Sequence, residues 1–109
     1  MEKVQDLKFE VGTGQIDVKI ATEEGRHELK GFKSLFLDHV DKIINSDFED
    51  NTLFFRDQPY QKLIMTKTGD GVLELTLIHP DNDRDEIEIE VEKERFKEFL
   101  KEIREALSE

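Results

Sequence analysis

The first part of the chain alternates between apolar and charged positions, a pattern with a period of two that predicts β-strands. Residues 7–11 and 16–20 alternate in this way, and the Gly12-Thr13-Gly14 turn between them predicts a hairpin. Residues 26–31 predict a weaker third strand, entered through a turn in which Gly25 is free to take a positive φ.

The period then lengthens to three and four residues, which predicts an amphipathic helix over residues 32–46. Ser34 is the candidate N-cap, and Asn45-Ser46-Asp47 ends the helix. The predicted buried stripe consists of Phe32, Leu35, Phe36, Val40 and Ile43.

The second half repeats this change of period. Pro59 separates two strands and Thr68-Gly69-Asp70-Gly71 has the composition of a tight hairpin turn. The predicted strands cover residues 52–57, 60–67, 72–78 and 85–92. A helix follows from Lys93, with an apolar stripe of Phe96, Phe99, Leu100, Ile103 and Leu107.

The predicted order is therefore βββα-ββββα. It indicates an α+β fold, with a mainly antiparallel sheet of about seven strands and two helices packed on it. No stretch has the composition of a linker, so residues 1–109 are predicted to form one domain. Each half ends in a strand, a polar turn, a strand and a helix. This likeness fits either an internal duplication or two independent uses of a common motif.

The last strand has two distinct faces. Its apolar residues, Ile87, Ile89 and Val91, are predicted to face the core. The alternating glutamates face outward, and we call Glu86, Glu88, Glu90 and Glu92 the glutamate ladder. A second outward set is apolar. It lines an exposed patch if the sheet is open and joins the core if the sheet curls: Phe54, Ile64, Val72 and Ile78.

Composition narrows the function classes. The 109 residues include no Cys, which excludes disulfides and thiolate chemistry, and the formal net charge is −11. Such acidity opposes binding to nucleic acid or anionic membranes and favours a protein partner with a basic surface. The N-terminus lacks the features of a secretory signal, and no apolar run reaches the ~18 residues of a membrane helix, so a cytoplasmic protein is expected.

The sequence contains no recognisable catalytic or cofactor motif. His27, His39 and His79 lie outside known metal and nucleophile motifs and are interpreted as structural. Asp81, Asp83, Asp85 and Glu92 match ligand positions of a calcium loop. However, Glu86 stands where that loop needs glycine, and the segment has strand periodicity. We therefore predict no enzyme activity, no metal and no cofactor.

The pattern of the second half is similar to a known family. Phe54-Phe55, Gln58-Pro59-Tyr60, Leu63-Ile64-Met65 and the closing segment Phe99-Leu100-Lys101-Glu102-Ile103 resemble the WapI-type group of small bacterial immunity proteins. The resemblance covers residues 32–107 and rests on the layout of strands and helices more than on specific motifs. It implies a non-enzymatic protein that binds and neutralises a toxin.

A second resemblance gives the alternative. A ββββα unit is similar to the Whirly and Pur-alpha single-stranded nucleic-acid binders, which stack bases on aromatic side chains of a basic sheet face. Phe54, Phe55 and Tyr60 are available for stacking. Arg56, Lys62 and Lys67 supply too few positive charges for such a face.

The sequence therefore predicts a non-enzymatic, acidic protein-binding module, and it is compatible with a homodimer. The glutamate ladder is either a solvated face that protects an edge strand or a recognition surface for a basic partner. The predicted partner-binding residues are Glu86, Glu88, Glu90, Glu92, Phe54 and Tyr60.

Overall fold

A computed structural model describes residues 1–57, 60–78 and 86–108, with the backbone alone at Tyr60. Seven strands and two helices follow the predicted order. The strands are β1 (Glu2–Val11), β2 (Gln15–Thr22), β3 (Gly25–Phe32), β4 (Thr52–Asp57), β5 (Tyr60–Lys67), β6 (Val72–Ile78) and β7 (Ile87–Glu92). The helices are α1 (Lys33–Asn45) and α2 (Lys93–Leu107).

All seven strands belong to one sheet, with the spatial order β3-β2-β1-β7-β6-β5-β4. Every neighbouring pair is antiparallel except β1 and β7, which run parallel over a short register at Glu2–Ile89 and Lys3–Glu90. The predicted α+β class, element order and mainly antiparallel sheet of about seven strands are confirmed, and the β1–β7 pair makes the sheet mixed. The β1–β7 pair joins the two halves of the chain.

Alternation along each strand sends one set of apolar side chains to the inner face of the sheet, where both helices pack. On β6, Leu73, Leu75 and Leu77 are fully buried, and their neighbours on the outer face are half-buried. The helices complete this core with Phe36, Val40 and Ile43 from α1 and Phe96, Phe99, Leu100 and Ile103 from α2. The predicted stripe of α2 is confirmed.

The sheet curls until its two edge strands meet. A Cβ built on Gly31 of β3 would lie 2.6 Å from the Cα of Phe55 of β4, so only glycine fits between these backbones. Beside it, the Lys30 backbone N–H donates a hydrogen bond of 3.1 Å to Gln61 Oε1 on β5. The apolar set of Phe54, Ile64, Val72 and Ile78 nevertheless stays half-buried and does not join the core, and within it Phe54 lies against His39 of α1.

A charged cluster of Asp47, Lys93 and Lys97, which we call the clasp, links the turn after α1 to the start of α2. Asp47 and Phe48 both have positive φ, a conformation that non-glycine residues seldom adopt. Asp47 accepts hydrogen bonds from Lys97 Nζ at 2.8 Å and from Lys93 Nζ at 2.9 Å. These bonds lower the pKa of Asp47 to about 2. The adjacent Phe48 is buried against Phe96, so the strained turn is held from both sides.

Several local predictions need correction. Ser34 is not the N-cap of α1, because β3 runs directly into the helix and Phe32 occupies the cap position without a side-chain bond. Phe32 is consequently 42% exposed instead of buried. Strand β1 begins at Glu2, five residues before the predicted start, because its N-terminal part pairs with β7. Asp85 lies outside the described residues, and β7 is described from Ile87.

Candidate functional site

The glutamate ladder lies on the outer face of β7 and at its entrance, as predicted. Glu86, Glu88 and Glu92 are exposed and Glu90 is half-buried. None of the four forms an ion pair with another residue in the described part of the chain. The inward neighbours Ile89 and Val91 are buried in the core, so the alternation of the strand places the glutamates on its outer side.

Strand pairing adds a fifth carboxylate. Glu74 of β6 stands directly opposite Glu90 of β7, and we call the glutamate ladder together with Glu74 the acidic face. Like charges in directly opposed positions destabilise a sheet by a few tenths of a kcal/mol. Glu74 was not among the predicted site residues, because only the β6–β7 register shows that it faces the ladder.

The acidic face extends towards the N-terminus. A cleft of about 380 Å³ is lined by Met1, Glu2, Glu24, Glu86 and Glu88. Glu2 accepts a 2.6 Å hydrogen bond from the Thr22 hydroxyl, which is the main cause of its lowered pKa, and its Oε1 lies 2.7 Å from His27 Nε2. His27 thus has a structural contact, and the cleft combines carboxylates from β1, from the β2–β3 turn and from the start of β7.

The positions beside the acidic face on β6 and β5 carry apolar side chains. Val72 lies opposite Glu92, Thr76 lies between Glu88 and Ile64, and Ile78 is opposite Lys62. The outer face therefore changes along the sheet from carboxylates on β7 to half-buried aliphatic side chains on β6 and β5.

Phe54 is not part of the acidic face. It lies on β4, three strands from β7 or about 14 Å at the usual strand spacing. Its ring contacts His39 of α1 at a centroid distance of 5.2 Å, and Lys62 Nζ lies 6.0 Å from its centroid. For Tyr60, only the backbone position on β5 is described, in register with Asp57. The structure thus separates Phe54 from the glutamates with which it was grouped.

A second polar region surrounds Asp17 on the outer face of β2. Asp17 Oδ1 is buried without a hydrogen-bond partner in the described part of the chain, and burial, followed by the nearby charge of Glu28, raises the pKa of this carboxyl. The neighbouring lysines bind other carboxylates: Lys19 pairs with Glu10 at 3.4 Å and Lys30 pairs with Glu28 at 3.3 Å. Asp17 also lines a cleft of about 300 Å³ beside Phe32 and Arg56.

The remaining predictions have different outcomes. Asp81, Asp83, Asp85 and His79 lie outside the described residues, so the calcium-loop match is untested there. Over the described ranges 1–57, 60–78 and 86–108, no group of three or more His, Asp or Glu side chains could hold a metal ion. In the same ranges, no helix is long and apolar enough to cross a membrane.

Comparison with protein-family models, with curated proteins and with solved structures finds no match to this chain. The resemblance to immunity proteins therefore stays a prediction.

Proposed function

We propose that this chain is a non-enzymatic protein-binding module that uses its acidic face to bind a partner protein with a basic surface. The observation that carries the proposal is the unpaired state of this face. Its five carboxylates lie on one side of the paired strands β6 and β7, and none of them forms an ion pair with a Lys, Arg or His side chain in the described part of the chain.

The contrast with the rest of the surface supports this interpretation. Elsewhere, several carboxylates pair with nearby cations, as in Glu49–Lys67 at 2.6 Å and Asp47–Lys93 at 2.9 Å, whereas the acidic face is a group of adjacent carboxylates without such a cation in the described part of the chain. On the acidic face, Glu74 and Glu90 instead repel each other across the strands. A basic partner would relieve this repulsion, so part of the binding free energy comes from the geometry of the free protein.

The surroundings of the acidic face suit protein contact. The net charge of −11 produces a long-range field that accelerates the approach of a cationic partner. After contact, the half-buried side chains of Val72, Ile64 and Ile78 supply adjacent apolar area. Protein interfaces typically combine these two kinds of surface.

The specific form of this proposal is an immunity protein that neutralises a basic toxin, as the sequence resemblance implies. Its test is genetic. The protein encoded directly upstream in the native genome should be toxic when expressed alone, and co-expression of this chain should restore growth. Normal growth with that neighbour alone would remove the immunity role and leave the broader binding proposal intact.

The binding proposal is tested with two matched double variants. Glu88→Lys/Glu90→Lys reverses charges on the acidic face, and Glu98→Lys/Glu102→Lys makes the same total charge change on the exposed side of α2. Proteins captured from a native lysate are identified, and the association rate of each purified candidate is measured at about 50 mM salt. We expect a lysine- and arginine-rich partner whose association rate falls roughly tenfold for the ladder variant and much less for the α2 variant.

Two outcomes would contradict this proposal. Equal rates for the two variants would mean that net charge, and not the acidic face, governs association. Micromolar, salt-sensitive binding of the wild-type chain to a single-stranded oligonucleotide would instead support the nucleic-acid alternative.

A further inference from the structure

Strand β1 is central in the sheet order but poorly covered. Its apolar side chains Val4, Leu7 and Phe9 are half-buried, and Val11 is 37% exposed. The residues opposite them on β2, Ile16, Val18 and Ile20, are 0–2% exposed. Because the two strands are adjacent and present the same face, this difference shows that β1 is covered less completely than β2, even though the Phe99 ring of α2 lies against Phe9 at a centroid distance of 5.9 Å.

The cover is incomplete because β1 extends beyond its parallel neighbour. The β1–β7 register consists of Glu2 and Lys3 with Ile89 and Glu90, and β7 then ends at Glu92 as the chain enters α2. Residues 7–11 pair with β2 on one side. On the other side they have no strand neighbour in the described part of the chain, and we call this side of residues 7–11 the open edge.

The hairpin geometry shows which backbone groups face this open edge. The Gly12 N–H donates to the Gln15 carbonyl at 2.9 Å and closes the hairpin. Because hydrogen-bonded positions alternate in an antiparallel pair, Glu10 and Lys8 bond to β2, and Phe9 and Val11 direct their N–H and C=O groups outward. At the end of this edge closest to β7, the Gln5 carbonyl accepts a hydrogen bond of 3.0 Å from the Arg95 guanidinium. The Leu7 N–H donates to Asp6 Oδ1 at 3.0 Å.

We propose that a second copy of this chain occupies the open edge, through antiparallel pairing of the two β1 strands about a two-fold axis at Phe9. In this register, Lys8 of each copy stands opposite Glu10 of the other, and Leu7 stands opposite Val11. The outward groups of Phe9 then bond to the same groups of the second copy. This surface is separate from the acidic face and does not depend on its function.

The charges on β1 favour this register over registers shifted by one or two residues. Lys8 and Glu10 have 72% and 73% exposed side chains, and each has only a solvent-exposed ion pair within the described part of the chain, with Asp6 at 3.6 Å and with Lys19 at 3.4 Å. Exposed pairs of this kind are weak, so both side chains can also reach another chain. A shift of two residues in one direction would place Lys8 opposite Lys8, and in the other direction Glu10 opposite Glu10. A shift of one residue would turn the apolar face of one strand to the solvent side of the other. The sequence of β1 is thus complementary to itself in one arrangement.

Hydrogen exchange of the wild-type chain tests the edge directly. Five residues on each side form an interface well below ~1,000 Å², so the dimer is expected to be weak and to form between about 10 µM and about 1 mM. Over that range, the sedimentation mass should rise towards twice the monomer mass. Exchange of the Phe9 and Val11 amides should slow in parallel, and the amides of Lys8 and Glu10, already bonded to β2, should not change.

A charge exchange tests the register. Lys8→Glu and Glu10→Lys should each weaken self-association roughly ten- to thirtyfold, because each places two like-charged pairs across the axis. Mixing the two variants should restore association, since every pair is then of opposite sign. The double variant Lys8→Glu/Glu10→Lys should also dimerise. Unchanged thermal unfolding of the diluted variants verifies that each one is folded.

The proposal is overturned by any of three results. The chain could remain monomeric at about 1 mM with rapid exchange at Phe9. The two single variants could fail to associate when mixed. Alternatively, Phe9 could become protected only when a different protein is added, which would assign the edge to a strand from that protein.

Discussion

The contact between β3 and β4 allows a direct test of the sheet curvature through Gly31→Ala. The added methyl group would lie 2.5 Å from the carbonyl carbon and 2.6 Å from the Cα of Phe55. Ordinary contacts between such atoms are near 3.5–4.0 Å, so the strands must separate by about 1 Å. The obstructing atoms belong to the backbone of a strand that is itself paired to β5, and they cannot move as a side chain can.

Overpacking of this kind costs about 1–3 kcal/mol, and the rigid backbone places Gly31→Ala near the upper end. With a urea m-value of about 1.5 kcal/mol/M, a loss of about 3 kcal/mol lowers the unfolding midpoint by about 2 M. Gly12→Ala is the matched control, because a Cβ there has no neighbour within 4 Å and its φ is not positive. It should leave stability unchanged or raise it by about 0.4–1 kcal/mol.

Equilibrium urea unfolding of the wild type and the two variants, followed by far-UV circular dichroism, measures these differences. Equal midpoints for Gly31→Ala and Gly12→Ala would refute the close approach of β3 and β4. The sheet would then be open at this side.

Three further predictions concern a turn, the acidic face and the core. Because the Asp47 pKa is lowered to about 2, its stabilising effect is present above the unfolded pKa near 4 and is lost as the pH falls towards 2. Asp47→Asn should therefore flatten the dependence of Tm on pH in that window, and an unchanged profile would contradict the clasp. Glu74→Lys should raise the free energy of unfolding by roughly 0.5 kcal/mol by turning its repulsion with Glu90 into attraction, whereas a lower urea midpoint would count against it. Ile103→Ala should cost about 2–5 kcal/mol in urea unfolding, against a much smaller loss for Leu37→Ala at a position 40% exposed.

Strand β7 contributes one face to the core and the other to the acidic face. In β7, Ile89 and Val91 are held among the buried residues, which keeps the alternating glutamates on the outside. If Glu74→Lys stabilises the fold and also slows association with a basic partner, the repulsion in the free protein serves binding. Such an exchange of stability for function is common at binding surfaces.

Local periodicity was enough to predict much of the fold. The alternation of Leu73, Leu75 and Leu77 and the three- and four-residue spacing of the α2 stripe identified their elements and buried faces correctly. These features depend on neighbours within one strand or one helical turn, and the sequence contains those directly. The glutamate ladder was predicted for the same reason, because Ile89 and Val91 determine the direction of the residues between them.

The prediction failed where two distant segments decide the outcome. Ser34 was expected to cap α1, but β3 continues up to the helix and leaves no loop in which a cap could form. Local periodicity also could not show that Phe54, on β4, lies three strands from the glutamates of β7. The extension of β1 to Glu2 depends on its pairing with Ile89 of β7, 87 residues away in the chain.

The sequence by itself thus determined the elements, their order and the buried faces of β6, β7 and α2, since these follow from the period of the chain. Only the tertiary structure decided which strands are neighbours and in what register. That pairing set Glu74 opposite Glu90, brought Gly31 against Phe55 and left the edge of β1 open at Phe9. Strand pairing joins groups that are remote along the chain, and local alternation carries no information about which partner or register has the lowest free energy.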